Sequence, residues 1–295
     1  MGEVRTLLDG RGLVESPRWH DGRLYFSDWS AGEVVAIDLD GRTEVVARVR
    51  SLPLCTAFLP DGQLLIVSST DGRLLRRDDA GNLSVHAELG GTGWNDIALD
   101  GRGNAYVNRM GFDLASGEPV KPGGVSLAPM DGGQGRSGGR GGSSPHRGRV
   151  REVADDILFP NGMAVTPDDS TLIVADSYRH CLVAFDIGPD GDLTGRRVWA
   201  DLGDGTPDGI CLDEEGAVWY ADVPNKRCVR VAEGGAVLHT VTLDRGGFAC
   251  ALGGPDGRTL FIVAADFLGM AGEVVTPGSG QVLVTQVDVP GVGRP

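Results

Sequence analysis

The sequence predicts an all-β protein, a six-bladed β-propeller closed by its own N-terminal strand. Three observations carry this. Gly is abundant, 47 of 295 residues, and many glycines follow Asp, as in tight turns between short strands. One pattern of alternating apolar strands returns every ~40–50 residues, the length of a four-stranded propeller blade. It returns six times, and the last copy lacks one strand, which the stretch Glu3–Leu8 can supply. That exchange closes the ring and removes an open sheet edge. A two-domain β-sandwich is the competing architecture.

The second strand of each unit is the clearest. The six are 23–28, 63–68, 104–108, 171–176, 217–222 and 259–264, for example Thr171-Leu172-Ile173-Val174-Ala175-Asp176. A Gly-rich or polar break follows each, then a third alternating strand such as Glu33–Asp38, Cys181–Asp186 or Cys228–Val231. Fourth strands are weaker, as in Glu44–Ala47 and Ala236–Val241. In the last unit, Gln281–Gln286 is the third clear strand. The whole chain, 1–295, reads as one propeller domain interrupted by a Gly/Arg/Ser-rich insertion at about 131–149. Residues 132–148 contain no apolar side chain and predict a mobile loop.

Net charge is −14, which argues against nucleic acid or an anionic membrane as a partner. The N-terminal residues lack a basic segment followed by an apolar one, so no signal peptide is expected. Apolar runs such as 260–265 are far too short to span a bilayer. Five scattered cysteines without a C-x-x-C spacing suit a reduced, cytoplasmic protein. There is no G-x-S-x-G elbow, P-loop or H-E-x-x-H.

Aligning the units on their first hairpin turn isolates one set of positions. Glu15, Cys55, Asn95, Asn161, Asp208 and Cys250 stand seven residues before Gly22, Gly62, Arg102, Asp168, Glu215 and Gly257. In a propeller the first strand of each blade lines the channel, so these positions are expected to converge at one mouth. Pro160-Asn161-Gly162 and Pro207-Asp208-Gly209 read as turns that fix where the polar side chain points. Pro60-Asp61-Gly62 and Pro255-Asp256-Gly257 look alike but fall in hairpin turns. Two carboxylates and two carboxamides meeting at a point form an acidic oxygen cage that suits a hard divalent cation: Ca²⁺, Mg²⁺ or Mn²⁺, with Zn²⁺ more usually bringing His or Cys. Asp28, Asp176, Asp222 and Asp266, near the ends of second strands, read instead as turn formers. Cys55 and Cys250 read as small buried residues.

The motifs Glu15-Ser16-Pro17-Arg18-Trp19, Trp94-Asn95-Asp96, Phe159-Pro160-Asn161-Gly162-Met163 and Pro207-Asp208-Gly209-Ile210-Cys211-Leu212-Asp213 resemble the senescence-marker-protein/gluconolactonase/luciferin-regenerating-enzyme superfamily, which includes regucalcin. The likeness spans roughly residues 10–270. It implies a six-bladed propeller with one divalent cation, Ca²⁺ first, in its channel. Glu15, Asn161 and Asp208 are then the metal ligands, and Asp208 is also the proposed general base. Asn95 matches a residue that contacts substrate or, in related members, joins the metal's ligands. Sugar lactonases of the family carry an Arg two residues before that Asn. Here the position is Gly93, and Arg109 is the candidate to compensate as a substrate contact.

The leading expectation is a metal-dependent hydrolase of a lactone or related ester, acting on a small molecule. A propeller that binds metal or ligand without catalysis is the rival of a different class. A specialised biosynthetic enzyme acting on one pathway intermediate is the third reading.

Overall fold

The computed structural model describes residues 2–113, 116–130, 149–269 and 272–293. The chain opens with β1 (Arg5–Arg11) and then builds blade 1 from β2 (Val14–His20), β3 (Arg23–Asp28), β4 (Glu33–Ile37) and β5 (Thr43–Arg48). Blade 2 holds β6 (Leu54–Phe58), β7 (Leu64–Ser68), β8 (Arg73–Arg77) and β9 (Leu83–Glu88). Blade 3 holds β10 (Trp94–Leu99), β11 (Ala105–Arg109), β12 (Gly123–Ala128) and β13 (Arg151–Ile157). Blade 4 holds β14 (Pro160–Val165), β15 (Thr171–Asp176), β16 (Cys181–Ile187) and β17 (Leu193–Asp201). Blade 5 holds β18 (Pro207–Leu212), β19 (Val218–Asp222), β20 (Arg227–Val231) and β21 (Val237–Thr242). Blade 6 holds β22 (Gly246–Gly253), β23 (Thr259–Ala265) and β24 (Gly280–Gln286).

Each blade is a four-stranded antiparallel sheet in sequence order, and β1 completes blade 6 by pairing with β24. The predicted closure is therefore observed. The first strands β2, β6, β10, β14, β18 and β22 neighbour one another in a closed circle around the channel. The fourth strands face water: β17 carries a run of exposed residues, and β21 and β1 are mostly exposed. That is why their sequence pattern is weak.

Among the described residues the core is distributed as six main apolar clusters, one between each pair of adjacent blades, with a small seventh of Leu13, Phe248, Ala265 and Val275. Blades 6 and 1, for example, share Val14, Phe26, Ala249 and Phe261, and blades 4 and 5 share Leu182, Trp199, Ile210 and Tyr220. Second strands feed clusters on both of their faces, so they are apolar throughout; β23 is buried at every residue.

Among the described residues, helix is confined to one 3₁₀ turn, Ser177–Arg179. No helix there is long and apolar enough to cross a membrane. The Gly/Arg/Ser-rich stretch lies, except for Arg149, outside the described residues. It falls between β12 and β13, so it belongs to blade 3 and does not separate two blades.

Candidate active site

The Pro-Asn-Gly and Pro-Asp-Gly segments differ from the sequence expectation in a telling way. They are not turns before the first strands; they lie inside β14 and β18. In both, the pairing to the second strand slips at the polar residue: between Pro160 and Met163 in one, between Pro207 and Ile210 in the other. The same slip occurs between Glu15 and Arg18 in β2 and between Trp94 and Ile97 in β10. Blade 2, whose position is Cys55, pairs without any slip. A β-bulge re-aims a side chain away from the regular alternation. Here four of the bulges fall at the oxygen-bearing positions; a further one, in β22, lies between Gly247 and Ala249, ahead of Cys250.

The glycines after Asn161 and Asp208 serve close packing. A Cβ at Gly162 would stand 2.5 Å from the Asp208 carbonyl oxygen and 2.5 Å from the Ile210 nitrogen. A Cβ at Gly209 would meet Ala249 of the next blade. By contrast Gly62 and Gly257, in the look-alike segments, have φ of 82° and 71° and do sit in hairpin turns as expected. Ser16, next to Glu15, takes φ 52°, a strained value for a non-glycine residue. It is pinned by the Thr56 N–H, which donates 2.8 Å to its hydroxyl.

The four polar side chains meet. Asn95 Nδ2 donates to Asn161 Oδ1 at 3.2 Å and to the Pro160 carbonyl at 3.2 Å. Asn161 donates in turn to Ser177 Oγ at 3.4 Å and hydrogen-bonds the Asp208 carboxylate. Ser177 Oγ donates 2.6 Å to the Pro207 carbonyl. Glu15 accepts the Ser16 N–H at 2.6 Å. Burial pushes the Glu15 carboxyl up to about 8, with the Asp96 charge adding to it against the Ser16 hydrogen bond. Asp208 is raised well above the ordinary carboxylate range by burial first, then by the charges of Glu15 and Asp96. Two desolvated carboxylates thus destabilise each other's charge.

Arg18 offsets this least of the groups around Glu15, and its hydrogen bonds are committed to Asp96. Its guanidinium donates 3.1 Å to Asp96 Oδ1 and 3.0 Å to the Ile97 carbonyl. The other Asp96 oxygen accepts the Met163 N–H at 2.9 Å. Sequence reasoning did not single out this buried pair, nor Asn108. Asn108 is fully buried, receives the Asp96 N–H at 2.9 Å and donates to the Asn161 carbonyl. It stands one residue before the second-strand end, where blades 4 and 5 have Ala175 and Ala221, and that exchange of a small apolar residue for Asn was the available signal.

Those three aspartates are structural. Asp176 accepts the Leu158 and Phe159 N–H groups at 3.0 and 3.1 Å, and Asp222 binds Arg227 Nε at 2.9 Å. Cys55 and Cys250 are 2 % and 1 % exposed and belong to the clusters between blades 2 and 3 and between blades 5 and 6. All five cysteines are free thiols, and Cys211 and Cys250 sulfurs lie 3.7 Å apart.

The arrangement fits a hard cation. Its donors are two carboxylates whose charges lack a counter-ion and two carboxamides, with no His among them. Among the described residues no three His, Cys, Asp or Glu side chains form a ligand group, so the carboxamide oxygens have to complete any such site. Below the ring, the channel narrows to a cavity of about 50 Å³ lined by Arg18, Met163, Ile210 and Cys211. Its far end is crossed by Gly291–Gly293, where the Val292 N–H meets the Leu212 carbonyl.

Arg109 ends β11 at the Glu15 end of the channel, opposite Trp94 in register. Gly93 has φ 86°. A side chain is strained there, so this loop is not built to carry an arginine at that position.

A closed six-bladed ring with an acidic, oxygen-lined mouth is the class of protein that fold and site define. The sequence profile of the SMP-30/Gluconolactonase/LRE-like region matches residues 13–266, and the chain belongs to this family. It is 27 % identical to 6-deoxy-6-sulfogluconolactonase from Pseudomonas putida, over 96 % of this chain and 94 % of that one. It is 26 % identical to the pentonolactonase XacC of Haloferax volcanii, over 96 % and 93 %. Among solved structures, regucalcin of Agrobacterium tumefaciens, a calcium-binding protein, superimposes with a TM-score of 0.80 at 23 % identity, over 100 % of this chain and 97 % of that one.

Proposed function

We propose that this chain is a divalent-metal-dependent lactonase. Glu15, Asn161 and Asp208 are the metal ligands, Asp208 is also the general base, and Asn95 and Arg109 contact the substrate. The observation that carries the reading is the convergence of Glu15, Asn161 and Asp208 on one channel mouth, with the two carboxyls raised by burial and by each other. The lactonase names of two relatives that cover nearly the whole chain point to the reaction.

When bound, the cation supplies positive charge that polarises the lactone carbonyl and stabilises the charge developing on its oxygen. The chain's own groups do the rest. Asp208 takes a proton from the attacking water; its two carboxylate oxygens suffice for a ligand and a base. Asn95 offers its amide oxygen to the substrate, while its amide hydrogens hold Asn161 and the Pro160 carbonyl in place. Arg18 and Asp96, linked to Met163, brace β2, β10 and β14 against one another. Ca²⁺ is the first choice, because the donors are all oxygen and the similar regucalcin binds calcium; Mg²⁺ and Mn²⁺ share that preference, and Zn²⁺ follows.

The test is turnover of a panel of lactones, aryl esters and phosphotriesters before and after chelation. Lactone hydrolysis is lost on stripping the metal and returns with Ca²⁺, Mn²⁺ or Zn²⁺. Asp208→Ala lowers kcat by about 10²–10⁴-fold. Full activity in a metal-free sample sinks the proposal. Metal binding with no turnover on the whole panel replaces it with a non-catalytic propeller.

A further inference from the structure

Arg109 is a cation at a position that holds an acid in blades 1, 4 and 5: it pairs with Trp94 as Asp28 pairs with Val14, Asp176 with Pro160 and Asp222 with Pro207. At the corresponding end of blade 4, Arg179 binds Asp176 and Asp156 at 3.0 and 2.7 Å. In blade 5, Arg227 binds Asp222 and Asp204 at 2.9 and 2.8 Å. At blade 1, Arg11 of β1 lies 3.5 Å from Glu33 and 4.0 Å from Asp28. In blade 3 the acid's position is taken by Arg109 itself, and the neighbouring Asn108 is uncharged and already spent on Asp96 and Asn161. Among the described residues the Trp94 ring is the one partner of the Arg109 guanidinium, whose Cζ lies 5.4 Å from the ring centroid.

That partner leaves the guanidinium edge free while holding its plane. Trp94 is 3 % exposed, and its indole N–H donates 2.8 Å to the Gly90 carbonyl, so the platform is fixed. The loop before it has no side chain where Arg109 lies. A Cβ at Gly91 would come 3.3 Å from Arg109 Nη1, and one at Gly93 would come 3.7 Å from its Cγ. The result is an exposed, pre-oriented fork of N–H donors beside Asn95, which follows Trp94 in β10. A guanidinium with its N–H donors free in this way matches an oxyanion edge-on, with two parallel hydrogen bonds. In a protein of net charge −14, a cation left unpaired at the mouth gives an anionic ligand a local place to bind.

We propose that Arg109 on its Trp94 platform is a subsite for an oxyanion carried by the substrate away from its reacting carbonyl. The substrate class is then a lactone with a sulfonate, phosphate or carboxylate on its distal end. This rests on the lactonase reading for what reacts, but the subsite is read by binding alone. The three oxyanions share the chemistry, and separate probes distinguish them.

The experiment is calorimetric titration of the metal-loaded full chain with gluconate and with its analogues bearing a terminal sulfonate, phosphate or carboxylate. Wild type binds at least one terminal oxyanion about tenfold or more tightly than gluconate, and the preference weakens with added salt. In Arg109→Ala the ratio collapses to about one; in Arg109→Lys, which keeps the charge but not the fork, part of it returns. The oxyanion with the largest ratio identifies the group. Equal affinity for gluconate and all three analogues overturns the subsite, and so does a preference that survives in Arg109→Ala. Failure to hydrolyse any lactone would remove the lactonase reading while these binding ratios still decide the subsite.

Discussion

Glu15 shows how a single residue reports on the site. Its folded carboxyl titrates near 8 against an ordinary 4.5, so the metal-free folded chain holds a proton that the unfolded chain has released. Where the folded state binds more protons, stability falls as pH rises. The depressed His20 and His86 act in the opposite sense, but only up to about their ordinary value of 6.5. The buried thiols resist ionisation and matter only near and above their ordinary value of 9.0. Chelated protein is therefore expected to lose melting temperature between about pH 7 and about pH 8.5. Glu15→Gln shrinks that fall, and saturating Ca²⁺ reverses it, since metal and proton compete for the same oxygens. Scanning fluorimetry across that window checks this; a flat or rising profile in the chelated protein contradicts it. Arg18 makes a second prediction at this scale. Arg18→Met leaves Asp96 buried without its cation and costs about 3–5 kcal/mol in urea unfolding.

At the scale of elements, the bulges and glycines of the first strands decide where the donors point. Gly162 and Gly62 follow Asn161 and Asp61 in segments of nearly the same composition. Gly162→Ala drives a Cβ into the backbone of β18 and must part β14 from β18. It is expected to lower Ca²⁺ affinity at least about tenfold and to abolish turnover. Gly62→Ala meets nothing nearer than His20 Nε2 at 3.6 Å, yet strains a left-handed φ of 82°. It costs about 1–2 kcal/mol of stability and leaves Ca²⁺ affinity unchanged. Calorimetry of both variants separates the two glycines. The seven-residue offset in the sequence separated the Asn161 and Asp208 segments from the hairpin turns at Gly62 and Gly257 but misread their form. A bulge is set by how neighbouring strands pack and leaves no composition of its own, so Pro-Asn-Gly looked like a turn.

At the scale of the whole molecule, closure matters because the core is six main clusters, each shared by two blades. Opening the ring anywhere exposes two faces. Removing residues 2–11 uncovers the β24 edge, including Val282 and Val284, which β1 otherwise pairs. The truncated chain is expected to melt well below the intact one and to aggregate with rising concentration, seen by light scattering. A truncated chain that stays monomeric and melts at the original temperature contradicts this account of closure.

The sequence by itself determined the strand repeat, the number of blades, the closure by the first strand and the four oxygen-bearing ring positions. Those follow from alternation and spacing, which each unit carries locally. Only the tertiary structure decided what surrounds them. Arg18 and Asp96 lie 78 residues apart and become a buried pair because β2 and β10 share a channel. Arg109 stands where blades 1, 4 and 5 keep an acid, and that no carboxylate among the described residues pairs with it appears only when the blades stand side by side. Charges and close contacts depend on distance in space, and that distance is set by the ring.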